Sequence, residues 1–201
     1  MTDIISWLAV IVILIATTTL LIHKDWRISL GALAVLYLAM FWHITSHLPF
    51  AMGSAKLITG WMVIAILGMT RLNLSNSEEE KKSFYPQGQT FRLALMAIIA
   101  LASFAAAPRI ETAIPGLGVP VITSGLILIG GGIIQLGIST NLLRISLGLL
   151  TFIAGFEILY AAIESAILVA GLLAIINIGL SLLGSYLLIA GSPTQETQDE
   201  V

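Results

Sequence analysis

The chain has 201 residues, of which 58% are hydrophobic and 10% are charged, and its mean hydropathy is +1.02. Soluble domains carry charge on roughly a quarter of their residues, so this composition excludes an ordinary soluble protein and indicates an integral membrane protein. The absence of cysteine excludes disulfides, thiolate metal sites and cysteine nucleophiles.

Seven apolar segments are each long enough to cross a hydrocarbon core, which needs about 20 helical residues. They cover residues 4–22, 29–46, 55–70, 91–107, 119–139, 141–162 and 165–190. No Lys or Arg precedes the first segment and no small-residue cleavage site follows it, so we expect a retained helix rather than a signal peptide. The prediction is an all-α polytopic protein, a bundle of about seven transmembrane helices, in the inner (cytoplasmic) membrane of the cell.

Positive charge is divided unevenly between alternate loops. If the amino terminus lies outside, the outer loops hold only Lys56 and Arg109. The cytoplasmic loops then hold seven basic residues, which are Lys24, Arg27, Arg71, Lys81, Lys82, Arg92 and Arg144. Lys and Arg in short loops favour the cytoplasmic side. We therefore predict an external amino terminus, a cytoplasmic carboxyl terminus and an outer-loop position for Lys56.

Polar segments divide the chain into four parts. These are three N-terminal helices in 1–72, a cytoplasmic linker in 73–90, four helices in 91–190 and a disordered acidic tail in 191–201. A stretch rich in Pro and Gly around Pro108 and Pro115 is expected to end the fourth helix and to begin the fifth.

Glu157 is an acid in a stretch with almost no other charge. Between Val119 and Ala190 the only other charged side chains are Arg144 and Glu164. A charge near the bilayer centre costs about 2.5 to 3.5 kcal/mol on insertion scales, and such residues usually mark a proton or ion path or a polar contact inside a bundle. Glu157 is therefore either a proton-path residue or a neutral carboxyl that only hydrogen-bonds across a helix interface. Glu164 is expected to be a hydrated residue at the mouth of the bundle.

The last helix carries a polar stripe. Asn177, Ser181 and Ser185 follow one another at intervals of four residues and share one helix face. Two interpretations stay open. The stripe either holds helices together by hydrogen bonds, or Asn177 pairs with Glu157 in a hydrated path.

Glycines recur in the fifth and sixth segments, at Gly130, Gly131, Gly132, Gly148 and Gly155. Small residues allow membrane helices to approach closely, and we expect these glycines to serve helix packing. The alternative for the triplet is local unwinding beside a cavity.

Two histidines, His43 and His47, lie four residues apart on the second segment and share a face that could ligate a metal or haem. Their position near the outer end is equally typical of interfacial histidines, so no metal and no cofactor is predicted.

No Lys lies deep within any predicted segment. No phosphate-binding loop or Ser-His-Asp set is present either, so the chain is not expected to be catalytic alone.

The segment 124–188 resembles the small K-type (subunit 4L) membrane subunit of complex I. The resemblance consists of a Gly-rich helix, the turn Ser-Thr-Asn-Leu-Leu-Arg at 139–144, Gly148, and an Ile-Gly-Leu step at 178–180. The seven-helix plan is still more similar to component E of the hydrogenase-4 family. In that family such a unit follows an N-terminal group of helices.

The resemblance implies a non-catalytic membrane subunit of a proton-translocating complex I-like or energy-converting hydrogenase-like assembly, and so a subunit of an oxidoreductase complex. The acidic positions of K-type subunits fall on Leu150 and Ile175 here, and Glu157 lies one to two turns away. A hydrated polar path would then use Glu157, Asn177, Ser181 and Glu164. The expected partners are the lipid bilayer and other membrane subunits, with no nucleic acid.

Two other functions are compatible with the sequence. One is a stand-alone structural or assembly membrane protein whose polar residues only hold helices together. The other is a small solute carrier with transport along the Gly-rich fifth helix, although no inverted repeat is visible to support it.

Overall fold

The computed structural model describes residues 2–23, 25–46, 49–74, 88–164 and 166–191, and these residues form seven α-helices. The helices are α1 (Thr2–Ile22), α2 (Trp26–Thr45), α3 (Phe50–Asn73), α4 (Gln89–Ala113), α5 (Val119–Ile138), α6 (Leu142–Ile163) and α7 (Ile167–Ala190). All seven are long and apolar enough to cross a membrane. The predicted all-helical fold with seven such helices is therefore confirmed. Most of the predicted linker and nearly all of the predicted tail lie outside the described residues.

The fourth helix does not end at Pro108, as the sequence predicted, but continues through it to Ala113. A proline inside a helix removes one backbone hydrogen bond without forbidding the helical conformation of the residues that follow. The helix ends where Ile114 adopts a non-helical conformation before Pro115, because a residue that precedes proline is driven out of the helical region.

The third helix begins five residues earlier than predicted, at Phe50 rather than Ala55. Pro49 occupies the N-cap position, where a missing backbone N–H carries no cost because the first turn of a helix has no partner for it. The extra turn places Lys56 inside the helix and not in a loop.

The helices pack into two adjoining four-helix rings. In the first ring α1, α2, α6 and α5 contact one another in that cyclic order, and in the second ring the order is α2, α3, α7 and α6. Helices α2 and α6 belong to both rings, while α4 packs outside against α5 and α1. The second ring is the part of the fold that positions the candidate site.

Polar side chains form hydrogen bonds to backbone groups at both ends of the bundle. At the end where α1 finishes, Arg92 Nη1 donates to the carbonyl of Leu21 at 2.9 Å and Arg144 Nη2 donates to the carbonyl of His23. These contacts satisfy carbonyls that a helix terminus leaves without partners. We call this end of the bundle the arginine end.

At the opposite end the two carboxylate oxygens of Glu111 accept hydrogen bonds from the backbone N–H groups of Gly116 and Gly118, at 3.0 and 2.8 Å. Both glycines have positive φ angles, a conformation that side chains other than glycine rarely adopt. Glu111 therefore holds the connection between α4 and α5.

Helices α5 and α6 approach each other through glycine. A Cβ atom added to Gly132 would lie 2.7 Å from the backbone nitrogen of Phe152, and one added to Gly155 would lie 2.7 Å from the carbonyl oxygen of Gly125. Gly148 faces side chains of α5. Gly132 and Gly155 therefore bring the backbones of α5 and α6 into contact, and Gly148 leaves room for side chains of α5.

The other two glycines of the triplet face different helices. Gly130 packs against Ile99 of α4, and Gly131 packs against Thr17 of α1. Helix α5 stays helical through the whole triplet. The structure therefore shows close approach at these positions and no local unwinding.

We predict that Gly132→Ala lowers the free energy of unfolding by about 1 to 3 kcal/mol, because the added methyl meets backbone that cannot move aside. Gly179→Ala is the matched control, since a Cβ at Gly179 meets nothing within 4 Å. That control should leave stability unchanged or raise it, because alanine favours helix over glycine. Thermal unfolding followed by circular dichroism in detergent measures both, and equal midpoints would contradict the packing described.

Candidate functional site

Glu157 lies inside the second helix ring. It is six residues before the last residue of α6, about 9 Å along the helix axis, and only 2% of the residue is exposed. Its side chain points away from the surface of the bundle and toward α3 and α7, as its contacts show.

A lysine pairs with this glutamate. The Nζ atom of Lys56 lies 3.5 Å from Oε1 of Glu157, and the two side chains are 8% and 3% exposed. The sequence-based placement of Lys56 in an outer loop is therefore wrong, because Lys56 lies in the second turn of α3. The error comes from starting α3 too late.

Asn177 of α7 contacts the same carboxylate oxygen. Its Nδ2 atom donates a hydrogen bond to Oε1 of Glu157 at 3.1 Å, and the residue is 3% exposed. The structure thus contains the contact between Asn177 and Glu157 that the sequence left open. Three helices, α3, α6 and α7, meet at one carboxylate.

Tyr37 of α2 completes the cluster. It is buried, with 2% of the residue exposed. Its ring packs on Gly60, where an added Cβ would lie 2.6 Å from the ring. Gly60 follows Lys56 by one helical turn, so the same face of α3 carries the lysine and makes room for the tyrosine. We call Tyr37, Lys56, Glu157 and Asn177 the polar cluster.

The remaining polar residues of the predicted path lie apart from the cluster. Ser181 is buried and donates to the carbonyl of Ile178 at 2.7 Å, and Ser185 is buried nearer the arginine end. Glu164 is exposed at the C-cap of α6. Among the described contacts, none of these three residues bonds to Glu157.

His43 occupies a separate buried position. It is 1% exposed, and its Nε2 atom lies 2.9 Å from the hydroxyl of Ser124 on α5. His43 thus faces the interior of the bundle in the last turn of α2. His47 lies outside the described residues, and no group of three or more potential metal ligands is found among those that are described.

The polar cluster combines a carboxylate that can accept a proton with an ammonium that can release one. In a bundle of apolar helices, either charge alone would carry a large desolvation cost, and the two are tolerated because each neutralises the other. A change in the protonation of one member therefore changes the stability of the charge on the other.

Sequence reasoning missed two members of the cluster, Lys56 and Tyr37. A signal for Lys56 was present, since a proline at position 49 marks a helix start and places the lysine in the second turn. Tyr37 gave no such signal, because a single tyrosine in an apolar helix has no distinguishing pattern.

Comparisons with protein-family models, with curated proteins and with solved structures find no significant match to this chain. The function has to be argued from the cluster and from the sequence.

We predict that Lys56→Met lowers the free energy of unfolding by about 3 to 5 kcal/mol, the usual cost of removing one partner of a buried ion pair. Arg109→Met is the control, because Arg109 is an exposed cation near the same end of the bundle. The control should change stability by less than about 0.5 kcal/mol. Thermal unfolding in detergent compares the two, and an equal effect would show that Lys56 is not paired.

Proposed function

We propose that this chain is a multi-pass protein of the inner (cytoplasmic) membrane and a non-catalytic subunit of a proton-translocating assembly, complex I-like or energy-converting hydrogenase-like. The observation that carries the proposal is the Lys56–Glu157 pair inside the second ring. Ionisable residues held within membrane-spanning helices usually belong to proton or ion pathways. The resemblance of the segment 124–188 to K-type subunits supports the same class of host.

The distribution of basic residues supports an external amino terminus and a cytoplasmic carboxyl terminus. In the sequence count only Lys56 and Arg109 lie toward the outer end, against seven Lys and Arg residues toward the cytoplasm. In this orientation the arginine end is cytoplasmic and the polar cluster lies in the outer half of the bundle.

The pair has the properties of a proton-transfer element. A proton that arrives on Glu157 removes the negative charge that stabilises the Lys56 ammonium, so Lys56 then releases a proton more readily. One proton binds to the carboxylate and one leaves the ammonium, and transfer of the proton from Glu157 to Lys56 across the 3.5 Å between them then restores the original ion pair. Asn177 holds the carboxylate in place by its hydrogen bond.

The polar stripe of α7 supports a path from the cluster toward the arginine end. Asn177, Ser181 and Ser185 are all buried and lie on one face of the helix. Hydroxyl groups at this spacing can hold water between them. Glu164, which is exposed at the other end, is the proposed mouth of the path.

A stand-alone structural membrane protein is the second candidate. The hydrogen bond from Asn177 and the ion pair both join different helices, which a purely structural role also requires. A small solute carrier has less support, because α5 is continuous through its glycines.

The test begins with the tagged chain purified in mild detergent from its own host, followed by identification of co-purifying subunits. Membrane vesicles containing that assembly, energised by its own electron donor, are then assayed with a pH-sensitive dye. Glu157→Gln should reduce coupled proton transfer by roughly 100-fold, the effect of losing a proton-transfer group. The assembly itself should remain intact.

Asp25→Asn is the matched control, an equally conservative change at an exposed acid outside the proposed path; asparagine caps a helix as aspartate does, so this variant should retain most of the transfer. Unchanged proton transfer in Glu157→Gln would refute the proposal. Purification without any redox partner would favour the structural role instead.

A further inference from the structure

A groove runs along the surface of the bundle between α1 and α2. It has a volume of about 380 Å³ and is lined from Val12 to Thr19 on α1 and from Ile28 to Val35 on α2. Of its lining residues, Ile15 and Val35 are 60% and 47% exposed, so the groove is open to the surroundings of the bundle. Its volume is in the range of sites that hold small molecules.

The groove offers an occupant almost no hydrogen bonds. Apart from Thr19, the residues that line it are Val, Ile, Ala and Gly. The hydroxyl of Thr19 donates to the carbonyl of Ile15 at 2.8 Å, so it is already bonded within its own helix. What fills the groove is therefore apolar along its length, either a hydrocarbon chain or the apolar face of another helix.

The length of the groove distinguishes these two occupants. Val12 is the middle residue of α1 and Val35 lies at the middle of α2. From there the groove extends only toward the arginine end, over seven residues or about 10 Å of each helix. A helix that crosses the membrane spans about 30 Å of hydrocarbon, whereas a lipid chain occupies a single leaflet. A groove confined to one half of the bundle favours the lipid chain.

Positive charge lies at the end of α1 to which the groove leads. Arg92 Nη1 donates to the carbonyl of Leu21 at 2.9 Å, and Arg144 Nη2 donates to the carbonyl of His23. These carbonyls belong to residues two and four positions after Thr19, the last residue of α1 that lines the groove. Two guanidinium groups are therefore held about one helical turn beyond the end of the groove.

A third arginine is exposed on α2. Arg27 lies four residues before Gly31, which lines the groove, so the two residues share one face of the helix. The guanidinium carbon of Arg27 lies 5.3 Å from the centre of the Trp26 ring. Asp25 is the neighbouring acid, and its carboxylate accepts a hydrogen bond from the backbone N–H of Arg27. Three guanidinium groups beside one carboxylate favour an anionic group at this end of the groove.

We propose that the groove binds an anionic phospholipid, with one acyl chain between α1 and α2 and the phosphate at Arg27. Arginine binds phosphate through two parallel N–H···O bonds. Trp26 and Arg27 are residue types that meet lipid headgroups at a membrane interface. The site rests on the membrane location proposed above and does not depend on proton transfer.

Native mass spectrometry of the full chain in mild detergent tests the headgroup. Dioleoyl phosphatidylglycerol should bind about fivefold more tightly than dioleoyl phosphatidylcholine, which has the same chains and no net charge. Arg27→Gln should remove this preference, since one cation near an anionic headgroup is worth about fivefold. Arg109→Gln is the control, an exposed arginine near the opposite end, and it should keep the preference. Equal binding of the two lipids by the unmodified chain would overturn the proposal.

Gly31 provides the test of the acyl chain. A Cβ at Gly31 meets nothing within 4 Å, so Gly31→Leu fills the groove without disturbing the packing of the helices. It should weaken phosphatidylglycerol binding roughly tenfold, the effect of losing about ten van der Waals contacts. Gly179→Leu is the matched control, because a Cβ at Gly179 on α7 also meets nothing within 4 Å. Equal affinities of the two variants would contradict a chain in the groove.

Crosslinking in the host membrane separates a lipid from a partner helix. The chain has no cysteine, so Gly31→Cys supplies a single site for a photoreactive benzophenone maleimide. Illumination should give phospholipid adducts that are richer in anionic headgroups than those of Gly179→Cys on the exposed face of α7. Crosslinking mainly to a second protein would assign the groove to a helix and overturn the proposal.

None of these readouts uses proton transfer. Selective binding of phosphatidylglycerol in a chain whose Glu157→Gln variant retains proton transfer would refute the proposed function and leave the lipid site standing. Recovery of the unmodified chain outside the membrane fraction of its host would overturn both.

Discussion

Two opposite charges inside a ring of apolar helices can remain there only as a pair, and the second ring is arranged around this constraint. Lys56 comes from α3 and Glu157 from α6, which face each other across the ring, while α2 and α7 join them on either side. Moving either helix outward would separate the charges in surroundings of low dielectric constant, where each alone is costly. Asn177 on α7 then adds a hydrogen bond to Glu157, and the ring of Tyr37 on α2 packs against α3 at Gly60.

The number of helices could be predicted because hydropathy is a local property that each segment reports by itself. Helix ends were harder, because they depend on single residues. Pro108 was expected to end α4 and does not, whereas Pro115 acts through Ile114 as expected of a residue before proline. Pro49 is the N-cap of α3, and the start of this helix expected from hydropathy alone lies more than one turn too late. How the helices arrange into two rings depends on contacts between distant segments, which no local pattern contains.

Part of the candidate site could also be predicted from local sequence. Glu157 and Asn177 were identified because a charge and an amide in apolar helices need polar partners, and such residues are visible in the sequence. Lys56 was misplaced as a consequence of the late helix start. Tyr37 joins the cluster only because Gly60 leaves room for its ring on a neighbouring helix. That relation between two helices appears only once they are packed.

The pairing of Lys56 with Glu157 is the central claim, and exchange of the two charges tests it most directly. Lys56→Glu alone places two acids together and should unfold at a much lower temperature than the unmodified chain. Combining Lys56→Glu with Glu157→Lys restores one charge of each sign at the same place, and we expect the double variant to recover much of the lost stability, because the coupling of close charged residues is not additive. If the stability change of the double variant only equals the sum of the stability changes of the two single variants, the pairing is contradicted.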